Sequence, residues 1–162
     1  MKTAFLALGS NIGDREANLR EAVDRLASEE IRVRRRSSLY ETEPRELLDQ
    51  PWFLNAVVEV ETSLFPMQLL ARVREIERQM GRRRVTPKGP RNIDIDILFY
   101  GRTVIATAEL EVPHPRMAQR RFVLEPLAEI APDFRHPVTG KTANEMLAAL
   151  EPQGVRRSEI KF

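Results

Sequence analysis

RNIDIDILFYG, residues 91–101, alternates apolar and polar side chains with a period of two, the pattern of a half-buried β-strand. In Ile93-Asp94-Ile95-Asp96-Ile97 that period puts the three isoleucines on one face and Asp94 and Asp96 on the other, the carboxylates about 7 Å apart along the backbone. Upstream, Pro66 suits the first turn of a helix whose apolar stripe, Leu69, Leu70, Val73, Ile76 and Met80, stops at Gly81. FLNAVVEVET, from Phe53, alternates strongly, and IRVRRRSSLYETEP, from Ile31, is β-biased until Pro44, so these two strands are expected to pair antiparallel. Asp14 is the expected N-cap of an amphipathic helix with Leu19, Ala22, Val23 and Leu26 on its inner face. KTAFLAL, residues 2–8, reads as a short buried strand ending at a Gly9-Ser10-Asn11 turn.

The resulting order, strand, helix, strand, strand, helix, strand, is that of an α+β ferredoxin-like βαββαβ core with an antiparallel sheet. RRFVLEPLAEIAPDFRHP and TANEMLAAL then predict additional C-terminal helices, separated by prolines, that cover one side of the sheet. A chain of 162 residues with 42% apolar content can bury one core and is too short for two ordinary domains, so residues 1–162 are expected to form one.

Cysteine is absent, which excludes disulfides and thiolate metal sites and leaves oxygen or imidazole ligands for any metal. The first apolar run stops at Gly9, well short of a signal-peptide core or a membrane span, so a soluble cytoplasmic protein is expected. Lys and Arg total 26 against 24 Asp and Glu, and a net charge of +2 barely argues for nucleic acid. The positions of the cations matter more. Arg82, Arg83, Arg84, Lys88 and Arg91 crowd one segment and Arg116, Arg120 and Arg121 another, which suggests a polyanionic ligand.

Two like-charged carboxylates side by side repel unless a cation lies between them, and hard oxygen ligands are what magnesium takes when substrate phosphates complete its shell. Alone, Asp94 and Asp96 would read sooner as a solvated sheet face; the arginine-rich loop leading into them favours a magnesium-phosphate site. In the strand from Phe53, Leu54, Ala56, Val58 and Val60 share one face, which leaves Phe53 and Asn55 together on the other. A ring to stack on and an amide at its edge suit a flat heteroaromatic ligand. Glu77 falls on the apolar stripe of its helix and must hydrogen-bond something, a nucleotide or an internal arginine. His114 gains interest from its arginine neighbours. VTGKT, residues 138–142, only looks like the end of a P-loop, because Arg135 stands where that motif needs glycine.

LGSNIGD, YETEP, QPWFLNAV, GPRNIDIDILFYG and VPHPRMAQRRFVLEPLAEIAP follow one another along nearly the whole chain. Through them the sequence closely resembles the 6-hydroxymethyl-7,8-dihydropterin pyrophosphokinases of the folate pathway. The resemblance implies a ferredoxin-like fold with added elements and transfer of a pyrophosphoryl group from ATP to the hydroxymethyl group of the pterin, with AMP leaving. It further implies magnesium, two ions, held by Asp94 and Asp96, with Arg82 and Arg91 completing the catalytic set. By the same similarity Phe53 and Phe122 sandwich the pterin, Asn55 reads its edge, and Thr42, Glu43, Pro44 and Arg45 add contacts. Arg74, Glu77, Arg84, Ile97, His114 and Arg120 are implied to line the ATP site. Lys88, Arg74 and Pro115 depart from the family pattern, where an aromatic residue, an amide and a tyrosine stand. ATP and the pterin are thus the expected partners, with no nucleic acid and no membrane, and a monomer is the expected state.

Two readings from other classes compete. A ferredoxin-like RNA-binding module would use the basic loops and Phe53 for phosphates and a stacked base, although the aromatic RNA-binding strand motif is absent. A two-metal nuclease would use Asp94 and Asp96.

Overall fold

The strongest alternating run forms the spine of the sheet. β4 (Phe53–Thr62) pairs antiparallel with β1 (Lys2–Ser10), whose other side pairs antiparallel with β5 (Asp94–Tyr100). The computed structural model describes residues 1–43, 51–81 and 92–162. On the far side of β4 it sets two strands end to end, β2 (Ile31–Arg36) and β3 (Tyr40–Thr42). The stretch expected as one strand from Ile31 therefore divides. Arg36 faces Val58 while Tyr40 faces Asn55, so four steps on one strand oppose three on the other and an extra residue must bulge out. Ser37 holds the join: its N–H donates to the Val57 carbonyl and its hydroxyl accepts from the Val57 N–H, both at 2.9 Å.

α1 (Arg15–Leu26) connects β1 to β2, and α2 (Pro66–Gln79) connects β4 to β5. The strand order β5-β1-β4-β2, antiparallel throughout, is the ferredoxin-like arrangement. The Asp14 carboxylate accepts from the Ala17 N–H at 3.1 Å, the expected cap. Gly81, at φ +73°, takes the left-handed turn that follows α2. Both helices cover one face, where Leu19, Val23, Leu26, Leu69, Val73 and Ile76 meet Leu6, Leu8, Leu54, Val58, Ile95 and Ile97 in a continuous core.

The opposite face carries a second core. α3 (Arg121–Ile130) and α4 (Ala143–Ala148) bring Val123, Leu124, Leu127 and Met146 against Phe5, Val57 and Phe99. The rings of Phe5, Phe99 and Phe134 meet there edge-on or tilted, with centroids 4.7–6.1 Å apart. Pro126 lies inside α3 instead of ending it. A short hairpin, β6 (Ile105–Ala106) with β7 (Glu111–Val112), follows β5. The chain closes with β8 (Val155–Arg157), unforeseen in the sequence, antiparallel to β3. Among the described residues no helix is long and apolar enough to cross a membrane.

The second core stops short of one end of the sheet. Gly9, Asn55, Phe53 and Asp94 continue the face of Phe5 and Val57 toward the other strand ends and belong to neither core.

Candidate active site

Gly9 sits in the middle of that end of the sheet. It pairs with Asn55 on one side and Asp94 on the other, and Ala7 likewise lies between Val57 and Asp96. Residues directly opposed in an antiparallel ladder project to the same face, so Asp94, Gly9 and Asn55 form one row, and Thr42 opposite Phe53 the adjacent one. The turn expected at Gly9 falls later, because β1 continues through Ser10. The glycine is needed within the strand: a Cβ there would lie 2.8 Å from the Asn55 side-chain oxygen. Asn55, only 7% exposed, therefore lies across β1 and donates from Nδ2 to the Thr42 hydroxyl at 2.7 Å; Thr42 is itself buried. The loop entering β4 is fastened to the same end, since Asn11 donates to the Pro51 carbonyl at 3.1 Å and Arg15 to that of Trp52 at 3.0 Å.

Asp94 and Asp96 are half-buried on the site face, with Ile93, Ile95 and Ile97 buried behind them as the alternation predicts. β5 is the edge of the sheet, and side chains of α2 satisfy its outer backbone at Ile95. The Ile95 N–H donates to Glu77 Oε2 at 2.8 Å, and its carbonyl accepts from Arg74 at 3.3 Å. Arg74 and Glu77 pair at 2.9 Å. Of the two partners the sequence left open for Glu77, the internal arginine is the one seen here. Placed between the two aspartates along the strand, this pair fixes the backbone that carries them.

His114 donates its N–H to the Leu98 carbonyl at 2.9 Å and accepts from the Arg116 N–H on Nδ1 at 3.2 Å. Burial, with the nearby Arg120 and Arg116, lowers its pKa from 6.5 to about 4, so the ring is neutral near pH 7. Folding thus favours the neutral form. That contribution is fully present above pH 6.5 and is lost as pH falls toward about 4. Urea unfolding near pH 7 and near pH 5 should show His114→Gln losing less stability than wild type between the two; an equal loss would refute the assignment. The Arg120 guanidinium lies 5.5 Å from the Phe122 ring centre. Phe122, in the first turn of α3, lies on the side of the sheet that Phe53, Asn55 and the aspartates face.

A family model described as 7,8-dihydro-6-hydroxymethylpterin-pyrophosphokinase (HPPK) matches residues 5–132. The chain belongs to this family. The 2-amino-4-hydroxy-6-hydroxymethyldihydropteridine pyrophosphokinase of Methylorubrum extorquens is 48% identical over 160 residues, covering 98% of this chain and 100% of that protein. The folic acid synthesis protein fol1 of Pneumocystis carinii is 47% identical over 139 residues, 86% of this chain but 19% of that protein, so the chain spans about a fifth of that relative. A crystal structure of Plasmodium falciparum HPPK-DHPS superposes with a TM-score of 0.73 over 91% of this chain and 43% of that chain, and at 18% identity it shows the shared fold. The RNA-binding and nuclease readings find no support among these matches.

Not every residue implied by the HPPK resemblance is brought into one cluster. The Ile97 side chain is buried in the core under α1 and α2, on the face opposite the aspartates. Glu43 is exposed, and its N–H donates to the Gly154 carbonyl at 2.9 Å. Pro44, Arg45, Arg82, Arg84, Lys88 and Arg91 lie outside the described residues. Gly9 was missed as a site residue; its signal was a glycine standing where the continuous apolar run Ala4 to Leu8 would go on. Trp52 was missed as well. The Arg156 guanidinium lies 4.9 Å from its ring centre, a contact no local pattern announces.

Proposed function

We propose that this chain transfers the pyrophosphoryl group of ATP to the hydroxymethyl group of 6-hydroxymethyl-7,8-dihydropterin, releasing AMP, in tetrahydrofolate synthesis. The observation that carries the reading is the row Asp94, Gly9, Asn55 on one sheet face of an HPPK-family chain, which sets paired carboxylates beside a buried amide. Phe53 and Phe122 take the two faces of the pterin, Asn55 takes its edge, and Thr42 holds the Asn55 amide in place. Glu43, Pro44 and Arg45 are the further pterin contacts of this reading.

The donor set fits magnesium, because Asp94 and Asp96 offer hard carboxylate oxygens on one face of β5 and leave the remaining positions to phosphate and water. Two ions held there would supply charge neutralisation on the triphosphate. Arg82 and Arg91 bind the transferring phosphates, while Arg84, His114 and Arg120 line the nucleotide side. Arg74 and Glu77 serve that side by holding β5 at Ile95, and Ile97 offers its backbone. The pterin hydroxyl oxygen forms the new bond to the β-phosphorus and gives up its proton to water; the bond from the β-phosphorus to the α,β-bridging oxygen breaks, and that oxygen leaves on AMP. A neutral His114, whose Nδ1 already accepts from the Arg116 N–H, can donate a hydrogen bond from Nε2 without adding charge. In this reading residues 1–162 act as one domain, monomeric and cytoplasmic, with no nucleic-acid or membrane partner.

The test is to mix the purified protein with ATP, magnesium and the pterin and to identify the nucleotide product by chromatography. AMP formed only when the pterin is present is the expected result. ADP, or AMP formed at the same rate without the pterin, would overturn it.

A further inference from the structure

Four consecutive residues of the C-terminal segment, 153–156, each contact a different residue bordering the proposed pterin pocket. All four lie beyond residues 5–132, the extent of the family match. Gln153 accepts on Oε1 from the Arg121 N–H at 3.0 Å and donates from Nε2 to the Gln119 carbonyl at 3.2 Å. The Gly154 carbonyl accepts from Glu43, Val155 pairs with Thr42, and Arg156 lies over Trp52. Arg121 precedes Phe122, Trp52 precedes Phe53, and Thr42 holds Asn55.

The Gln153 bonds meet a specific need of α3. The first N–H groups of a helix have no partner within it, and a side-chain acceptor at the N-cap normally serves one of them. Here the N-cap is Arg120, which makes no side-chain cap bond, so the acceptor comes from 32 residues away. Gly154 matches the same design, since a Cβ there would come 3.0 Å from Glu43 Cβ and push the strand end away.

We propose that segment 153–156 is a positioning element of the pterin pocket, with Gln153 the residue that holds the Phe122-bearing turn of α3 in register with the Thr42 end of β3. The identity of the ligand rests on the pyrophosphokinase reading above. Gln153 touches no reacting atom; it acts through Phe122, so its loss raises the KM for pterin rather than lowering the rate of the chemical step.

Full-length Gln153→Leu and Gln153→Glu should be compared with wild type by varying pterin and ATP separately, with a thermal melt beside each. In Gln153→Leu the pterin KM should rise about tenfold, the effect of losing both side-chain hydrogen bonds at a half-buried helix start, with kcat and the ATP KM within about twofold. Gln153→Glu keeps an acceptor for Arg121 and should recover most of the pterin affinity. An unchanged pterin KM in a folded Gln153→Leu, or pterin and ATP KM values rising together, overturns the proposal. If Gln153→Leu does not fold, hydrogen exchange on the wild type decides: the amides of Arg121 and Glu43 should gain protection together on pterin binding, and no gain at Arg121 overturns it. Failure of the wild type to form pterin-dependent AMP would instead remove the pyrophosphokinase reading, and this inference would fall with it.

Discussion

Asp96→Ala should lower kcat for AMP formation by about a thousandfold or more, while the protein stays folded and still binds pterin. The fold tolerates the change because Asp96 is half-buried on the face opposite Ile93, Ile95 and Ile97, so truncating it opens no cavity in the core under α1 and α2. Pterin affinity should be kept because the proposed ring and edge contacts come from β3, β4 and α3, not β5. What is lost is one of two adjacent carboxylates, and with it the charge that would gather metal and triphosphate beside the acceptor. Asp96→Asn keeps the shape and removes the charge, so a loss as large as that of the alanine variant would assign the effect to charge. The measurement is AMP release at saturating ATP, magnesium and pterin, with pterin binding followed separately. Turnover by Asp96→Ala within tenfold of wild type would remove Asp96 from the metal site.

The sequence could be read this far because a strand's period of two is local. Ile93 to Ile97 and Leu54 to Val60 each declare their buried face without reference to the rest of the chain, and the two polar faces so defined converge on one end of the sheet. Glu77 shows where local reading stops. Its place on an apolar stripe announced a hydrogen bond, and Arg74 lies one turn earlier on the same helix, but only the tertiary structure puts Ile95 within reach. β2 and β3 appeared as one strand because β propensity runs through 31–42; the division is visible only in the register against β4. β8 is three residues long with two exposed arginines, and its strand geometry comes from pairing with β3 rather than from any pattern of its own.

Gln153 belongs to the same class of long-range facts. A glutamine followed by glycine near a chain end reads as loop, and nothing in it announces the uncapped start of a helix 32 residues earlier. The site thus has two layers of legibility. Spacing alone picks out Asp94, Asp96, Phe53 and Asn55 on regular strands; the contacts of Gly9 and Thr42 with Asn55, of Glu77 with Ile95 and of Gln153 with the turn before Phe122 run between elements.

Asn55→Ala should raise the pterin KM about thirtyfold while leaving the ATP KM near wild type and kcat at saturating pterin within a few-fold, since a site built to hydrogen-bond one ring edge loses that bond and gains nothing in exchange. The buried Asn55 amide already has one donor bond, to the Thr42 hydroxyl, which fixes how it faces the pocket. The same geometry predicts the phenotype of a residue that need not touch the pterin at all. Gly9→Ala places a methyl group 2.8 Å from the Asn55 oxygen, closer than a Cβ tolerates, so the amide must rotate or the strands must part. If Asn55 reads the ring through its position over Gly9, Gly9→Ala should reproduce most of the loss in pterin affinity with the amide still present. Combining the two substitutions should then cost little more than Asn55→Ala alone, because both disable one contact. Losses that simply add would mean that Gly9 and Asn55 act separately, and a wild-type pterin KM in Asn55→Ala would remove the amide from pterin recognition altogether.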